Sequence, residues 1–217
     1  MSPPFLLLGV NMYRSVYGES EAKIVIERSE FIAHITRAES EEEAVGFIEK
    51  IRSQNRRARH NCYAYRLKNE NISRYSDDGE PSGTAGAPIL DVLTKKGLTD
   101  TVIVVTRYFG GILLGKGGLT RAYSQAAALA AQEARIMELS PAYIISLIFD
   151  YQYYDRIIHS LPKSGLKILS TDYLQSVSLS LAVDCELRQE LEKSLLDLTN
   201  GRIVIEEIDK KFFDFSD

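Results

Sequence analysis

The chain has 217 residues, 45% of them hydrophobic and 26% charged, with a net charge of −4 and two cysteines. That composition is globular, long enough for two small domains, and it excludes a polycation that holds nucleic acid through bulk charge. No apolar run approaches the roughly 18 residues of a membrane span, and the apolar run at residues 5–8 lacks the basic start and cleavage site of a signal peptide.

Residues 1–11 read as a disordered extension or a mis-assigned start ahead of Met12, with a docking tail as the alternative. Strands are expected at residues 23–28 and 31–36. Ser40-Glu41-Glu42-Glu43 is a capping box, and Ala44, Phe47, Ile48 and Ile51 are the apolar stripe of the helix it starts. Residues 61–67 and 72–75 read as paired strands around a turn at 68–71. A polar loop at 76–86 leads into a helix with Pro88 early in it, Ile89, Leu90, Val92 and Leu93 as its buried face, and Gly97 as its stop. Residues 101–106 are almost all β-branched or apolar, the pattern of a central strand. A turn at 107–118 and an alanine-rich helix at 119–137 complete this half.

Ser140-Pro141 marks the expected boundary, because proline disfavours helix in the residue before it. The domains are accordingly 12–140 and 141–217. The second contains a strand at 143–150, then a helix face of Tyr154, Ile157, Ile158 and Leu161 closed by Pro162 and Gly165. Strands at 166–173 and 177–183 follow, the latter with period-two alternation. Asp184 is the expected N-cap of a helix lined by Leu187, Leu191, Leu195 and Leu198, ended by Asn200-Gly201, before a last strand at 203–208. The order βαββαβ is the ferredoxin-like split unit. Charge is divided unevenly: residues 1–140 hold 18 Lys and Arg against 17 Asp and Glu, and residues 141–217 hold 8 against 13.

Three constellations carry candidate chemistry. The first is the turn Arg107-Tyr108-Phe109-Gly110-Gly111-Ile112-Leu113-Leu114-Gly115-Lys116-Gly117-Gly118, followed by Arg121. Glycines ahead of a helix N-terminus let an anion reach backbone N–H groups, and the three cations add charge. Gly110 to Lys116 spells most of a phosphate-binding loop, but Gly117 replaces the Ser or Thr that would hold magnesium, which argues against nucleotide hydrolysis. The structural alternative is a tight turn with residues 112–114 packed inward. The second constellation is Arg56-Arg57-Ala58-Arg59-His60-Asn61-Cys62, a basic patch for phosphate or an acidic surface, or else a solvated helix end. His60 and Cys62 share a strand face, which leaves a thiol nucleophile open, though no third, orienting residue is readable. The third is Asp77, Asp78 and Glu80 with Ser82 and Thr84: a cation or acid–base loop, or a capped turn with Ser82 or Thr84 as helix N-cap. No cysteine–histidine spacing suits a metal, so neither a metal nor a cofactor is implied. Two well-separated cysteines suit a reducing cytoplasm, both as small core residues.

Arg59-His60-Asn61-Cys62, the tract from Ser76 through Gly86, and Val105-Thr106-Arg107-Tyr108-Phe109-Gly110-Gly111 with Leu114-Gly115-Lys116-Gly117-Gly118-Leu119 and Arg121-Ala122-Tyr123 together resemble the YigZ/Impact family. The likeness spans roughly residues 21–137, and the remainder resembles the C-terminal domain of the bacterial members. It implies an α+β protein. Its first domain would be the two-layer, ribosomal-protein-like type found in the fourth domain of elongation factor G, and its second would be ferredoxin-like, as in that factor's fifth domain. It also implies a translation-linked role, since the eukaryotic relatives are translational regulators. The leading expectation is therefore a non-enzymatic cytoplasmic regulator that binds structured RNA, the ribosome or a translation factor. Arg59, Arg107, Lys116 and Arg121 would meet phosphates or acidic side chains, and Gly110, Gly111, Gly115, Gly117 and Gly118 would permit close approach. The rivals are an enzyme acting on a small phosphorylated or acidic metabolite, and a protein-interaction module anchored by exposed Tyr108 and Phe109.

Overall fold

The protein is described by a computed structural model covering residues 12–68 and 71–216. The expectations for residues 1–11, and for Asn69 and Glu70 in the 68–71 turn, lie outside the described residues. The described residues form two compact units, one of Tyr13–Met137 and one of Met12 with residues 138–216.

In the first unit the strands are β1 (Tyr13–Val16), β2 (Ser20–Ile26), β3 (Ser29–Arg37), β4 (His60–Arg66), β5 (Ser73–Ser76) and β6 (Thr101–Tyr108). The helices are α1 (Glu41–Gln54), α2 (Gly86–Lys95) and α3 (Gly115–Glu133). Strands β2 to β6 make an antiparallel sheet in the order β2-β3-β6-β4-β5. β6 is central, as its unbroken apolar run requires: Thr101 through Arg107 are all buried.

Period-two alternation divides β6 between two cores. Ile103 and Val105 face α2 and α3 in a core with Phe31, Ala33, Ile35, Cys62 and Ala64. Val102 and Val104 face α1, with Phe47, Ile48, Ile51 and Tyr65. The unit thus carries helices on both faces of its sheet, α1 adding a third, smaller layer to the expected two. The α3 side is built on close contact, since Ala122, Ala126, Ala127 and Ala130 are fully buried. The capping box forms in part: Ser40 Oγ accepts from Glu43 N–H at 3.2 Å, but Glu43 Oε2 accepts from Glu39 N–H at 2.8 Å, one residue ahead of the N-cap.

Several elements depart from the sequence reading. Strand β1 has no counterpart in it, β2 covers Ser20–Ile26 rather than 23–28, and the last strand covers Ile203–Asp214 rather than 203–208. Helix α3 starts at Gly115, so Gly115, Lys116, Gly117 and Gly118 form its first turn, and it ends at Glu133 rather than 137. The next element, β7 (Ile136–Phe149), is one continuous strand running through Ser140 and Pro141. Proline is tolerated there because the strand needs only its carbonyl, which accepts from Cys185 N–H at 3.1 Å.

The second unit continues β7 with a 3-10 turn (Tyr151–Tyr153), α4 (Tyr154–Ser160), β8 (Leu166–Tyr173), β9 (Val177–Asp184), α5 (Arg188–Thr199) and β10 (Ile203–Asp214). Its four strands pair antiparallel in the order β10-β7-β9-β8. Numbered within the unit this is 4-1-3-2, the arrangement expected for βαββαβ. Ile145, Leu147, Phe149, Leu179, Leu181, Ile157, Leu191 and Leu195 fill its core. Asp184 does not cap α5. Its carboxylate accepts from Glu186 N–H at 2.9 Å, and the helix begins after Leu187 without a side-chain cap. Asn200 takes the left-handed conformation that ends α5, φ 49°.

Candidate functional site

The first unit holds a cavity of about 440 Å³ between the end of β6, the start of α3, the start of β4 and the 76–86 loop. Its polar lining is Arg59, His60, Glu80, Arg107 and Lys116. Its apolar lining is Pro81, Phe109, Leu113, Leu114 and Leu119, with Gly115 at the helix start.

Strand parity decides which side chains arrive there. Arg107 follows Ile103 and Val105 onto the α3 face, while Tyr108 turns to the other face and donates to Asn55 Oδ1 at the end of α1, 2.8 Å. Arg107 pairs in register with Phe31 of β3 on one side and His60 of β4 on the other. Its guanidinium carbon lies 5.5 Å from the ring centres of both Phe31 and Phe109.

The expectation that Arg107 is a free cation for phosphate is corrected. Arg107 is only 6% exposed, and its Nη1 donates to Glu80 Oε1 at 2.7 Å. The same oxygen accepts from Tyr123 Oη at 2.8 Å, and Glu80 is also buried. Two opposite charges removed from water together must stay paired, because either one alone would be strongly destabilising. The Arg107 Nε is buried without a hydrogen-bond partner. Burial, then the neighbouring Cys62 and Glu80, push the Tyr123 hydroxyl pKa far above its ordinary value, so it stays a donor.

The 76–86 loop likewise uses its charge internally. Asp77 Oδ1 accepts from Ala85 and Gly86 N–H at 2.9 Å each, and Oδ2 from Gly83 N–H at 2.8 Å. Burial alone would raise the Asp77 pKa, but these three donors hold it below its ordinary value. Asp77 therefore caps α2 from a distance, the role assigned in sequence to Ser82 or Thr84. Ser82 is exposed, and Thr84 Oγ1 donates to Pro81 carbonyl at 2.6 Å. Asp78 accepts from Asn61 N–H at 2.6 Å and from Arg52 at 3.0 Å. No group of three or more His, Cys, Asp or Glu able to hold a metal occurs among the described residues.

The thiol reading finds no support in this geometry. Cys62 Sγ donates to Asp77 carbonyl at 2.9 Å, and His60 Nδ1 contacts the next carbonyl, Asp78, at 2.8 Å. Burial pushes the Cys62 thiol pKa well up, away from thiolate. A carbonyl can only accept, so His60 carries a hydrogen on Nδ1.

Arg59 and Lys116 are exposed at the cavity lining, and Arg121 is exposed one turn further along α3. None of the three makes an ion pair among the described residues. The N-cap of α3, Leu114, is helical and offers no side-chain cap to the first-turn N–H groups. The glycines divide by role. A Cβ at Gly110 would stand 2.0 Å from the Arg28 carbonyl carbon, so this glycine lets two backbone segments touch; its N–H also donates to Ser29 Oγ at 3.1 Å. Gly115 takes φ +65° where the chain turns into α3. Gly117 has open space around it apart from Arg121 Nη1 at 3.8 Å. Residues 112–114 do not all pack inward: Leu114 does, Ile112 is 37% exposed and Leu113 is 87% exposed.

The Impact N-terminal domain model matches residues 27–131, and a domain of unknown function (DUF1949) matches residues 147–202. The IMPACT family member YvyE of Bacillus subtilis (strain 168) is 40% identical, covering 91% of this chain and 92% of its own. This chain belongs to the Impact family. The Impact-family member YigZ of Escherichia coli (strain K12) is 34% identical over 82% of this chain and 89% of its own. A crystal structure titled only as that of a hypothetical protein superposes with a TM-score of 0.60, at 30% identity, over 91% of this Impact-family chain and 98% of its own. No described helix is long and apolar enough to cross a membrane.

Of the site residues expected from sequence, the cavity gathers Arg59, His60, Glu80, Arg107, Phe109, Gly115 and Lys116. Tyr108, Gly110, Gly111, Gly117, Gly118, Arg121, Asp77, Asp78, Ser82 and Thr84 are not among its lining. Sequence reasoning missed Leu113, Leu119 and Pro81 as walls, and Tyr123 as the second donor to Glu80. Period two along β6 would have revealed that Arg107 faces the core.

Proposed function

We propose that this Impact-family chain is a non-enzymatic, translation-linked protein that binds RNA, free or in the ribosome, through phosphates held at the mouth of the cavity. The observation that carries the reading is the meeting of Arg59 and Lys116, neither in an ion pair among the described residues, with the uncapped start of α3 at one cavity. Helix N-terminal N–H groups and nearby cations attract phosphate together. The translation link rests on the family. Arg107 and Glu80 would set the wall of the site and Tyr108 would brace it, while Arg59 and Lys116 touch the ligand and Arg121 extends the basic surface.

Crosslinked pull-down from lysate, with and without RNase, tests this reading. RNase-sensitive recovery of ribosomal RNA is expected, together with ribosome co-sedimentation that falls at least ten-fold in Arg59→Ala/Lys116→Ala. Unchanged co-sedimentation in that variant would contradict it.

The enzyme reading keeps one favourable observation, a cavity in the size range of small-molecule sites. Against it, the candidate acid–base and nucleophilic groups are engaged elsewhere: Glu80 with Arg107, Asp77 with backbone, Cys62 with a carbonyl. A thermal-shift screen of phosphorylated metabolites addresses it, since a ligand specific to the native state raises apparent stability.

A further inference from the structure

The anion-binding mouth accounts for only part of the cavity. A phosphate needs two or three donors and little space, yet the whole cavity measures about 440 Å³ and is also walled by Phe109, Leu113, Leu114, Leu119 and Pro81. An occupant that fits has an anionic end and a flat apolar body. Phe109 is 48% exposed, but it is not loose. The buried Arg107 guanidinium sits 5.5 Å from its ring centre, and the adjoining Gly110 is fixed against Arg28 and Ser29. An exposed aromatic ring held in place beside a basic mouth is a stacking platform.

We infer that the cavity is a pocket for a single nucleoside monophosphate unit, its base against Phe109 and the leucine wall and its phosphate at Lys116, Arg59 and the start of α3. This rests on the proposed RNA-phosphate reading and deepens it: the occupant is an unstacked nucleotide, not a stretch of duplex backbone. The same chemistry is offered by an unpaired residue in RNA and by a free nucleotide. Base-paired RNA cannot deliver a base to the pocket, so discrimination between paired and unpaired RNA follows.

The test uses the full-length protein with two fluorescein-labelled hairpin RNAs that differ only by one bulged adenosine, with AMP and O-phosphotyrosine as small probes. Anisotropy should show the bulged hairpin binding at least ten-fold tighter, with Phe109→Ala removing about ten-fold of that preference. Phe109→Tyr, which keeps a stacking face, should retain it. AMP raising the melting temperature in wild type but not in Phe109→Ala also supports the pocket. If the bulge advantage is then absent, the natural source is the free nucleotide. Equal binding of both hairpins, with AMP inert and Phe109→Ala without effect, would overturn the pocket while leaving RNA binding intact. Failure of either hairpin to bind at low salt would overturn the underlying reading as well. A shift with O-phosphotyrosine as large as with AMP would assign the pocket to a phosphorylated side chain instead. The melting temperature of each variant without ligand verifies that it is folded.

Discussion

The two loops that meet at the cavity use their charge in opposite ways. The loop between β5 and α2 carries three carboxylates, and each is bound inside the protein: Asp77 to three backbone N–H groups, Asp78 to Asn61 N–H and Arg52, Glu80 to Arg107 and Tyr123. The segment from β6 into α3 contributes Lys116 and Arg121, exposed and without ion pairs among the described residues, and faces Arg59 in the same condition. Charge density alone does not identify a binding surface. What distinguishes the two loops is whether the charge already has a partner.

The comparison breaks most visibly at Glu80. Replacing it with Gln leaves the Arg107 guanidinium buried without its counter-charge and should cost roughly 3–5 kcal/mol in urea denaturation. The double variant Glu80→Leu/Arg107→Met should lose less than Glu80→Gln, because neither charge remains. If both variants match wild type, the pair is not the buried strut described.

A smaller loss, about 2 kcal/mol, is expected for Asp77→Ala, which removes the acceptor for three N–H groups around α2. Its folded pKa lies below the ordinary 3.8. The stabilisation is therefore fully present above that value and is lost as pH falls through the lower, folded one. The gap between wild type and Asp77→Ala in melts from pH 7 to pH 2 should stay constant down to about pH 4 and then close. A gap unchanged at pH 2 would show that the carboxylate charge is not involved.

The glycines sharpen the contrast within the α3 side itself. Gly110→Ala forces a Cβ into the Arg28 backbone and should destabilise by about 1–3 kcal/mol. Gly117→Ala meets only the flexible end of Arg121, inside the first turn of a helix, and should change stability by under about 1 kcal/mol, in the stabilising direction. Thermal melts of the pair decide whether the turn is rigid at its β6 end and permissive at its helical end.

Much of the fold was legible because periodicity states which faces are apolar. The N-cap at Ser40, the stripe of α1 and the βαββαβ order all follow from residue spacing. Other features were not. The change from helix to strand was set at Pro141, but β7 already begins at Ile136, because a strand residue that needs only its carbonyl tolerates proline. The start of α3 was set too late because three of the four residues from Gly115 to Gly118 are glycines, poor helix formers that a capping-free first turn nonetheless accommodates. The site was half legible. Arg59, Lys116 and Phe109 lie where the motifs placed them. Arg107 read as a free cation because its partner Glu80 is 27 residues away, and only strand parity signals its burial.

The central claim is that cations at the start of α3 hold RNA phosphate. It is tested most directly by titrating the fluorescein-labelled hairpin RNA at a series of salt concentrations, with wild type and Lys116→Ala. With about three phosphates engaged, log affinity against log salt should fall with a slope of about −2 to −3, and Lys116→Ala should weaken binding and reduce the slope by about one. Salt-independent binding, or a Lys116→Ala slope identical to wild type, would contradict the claim.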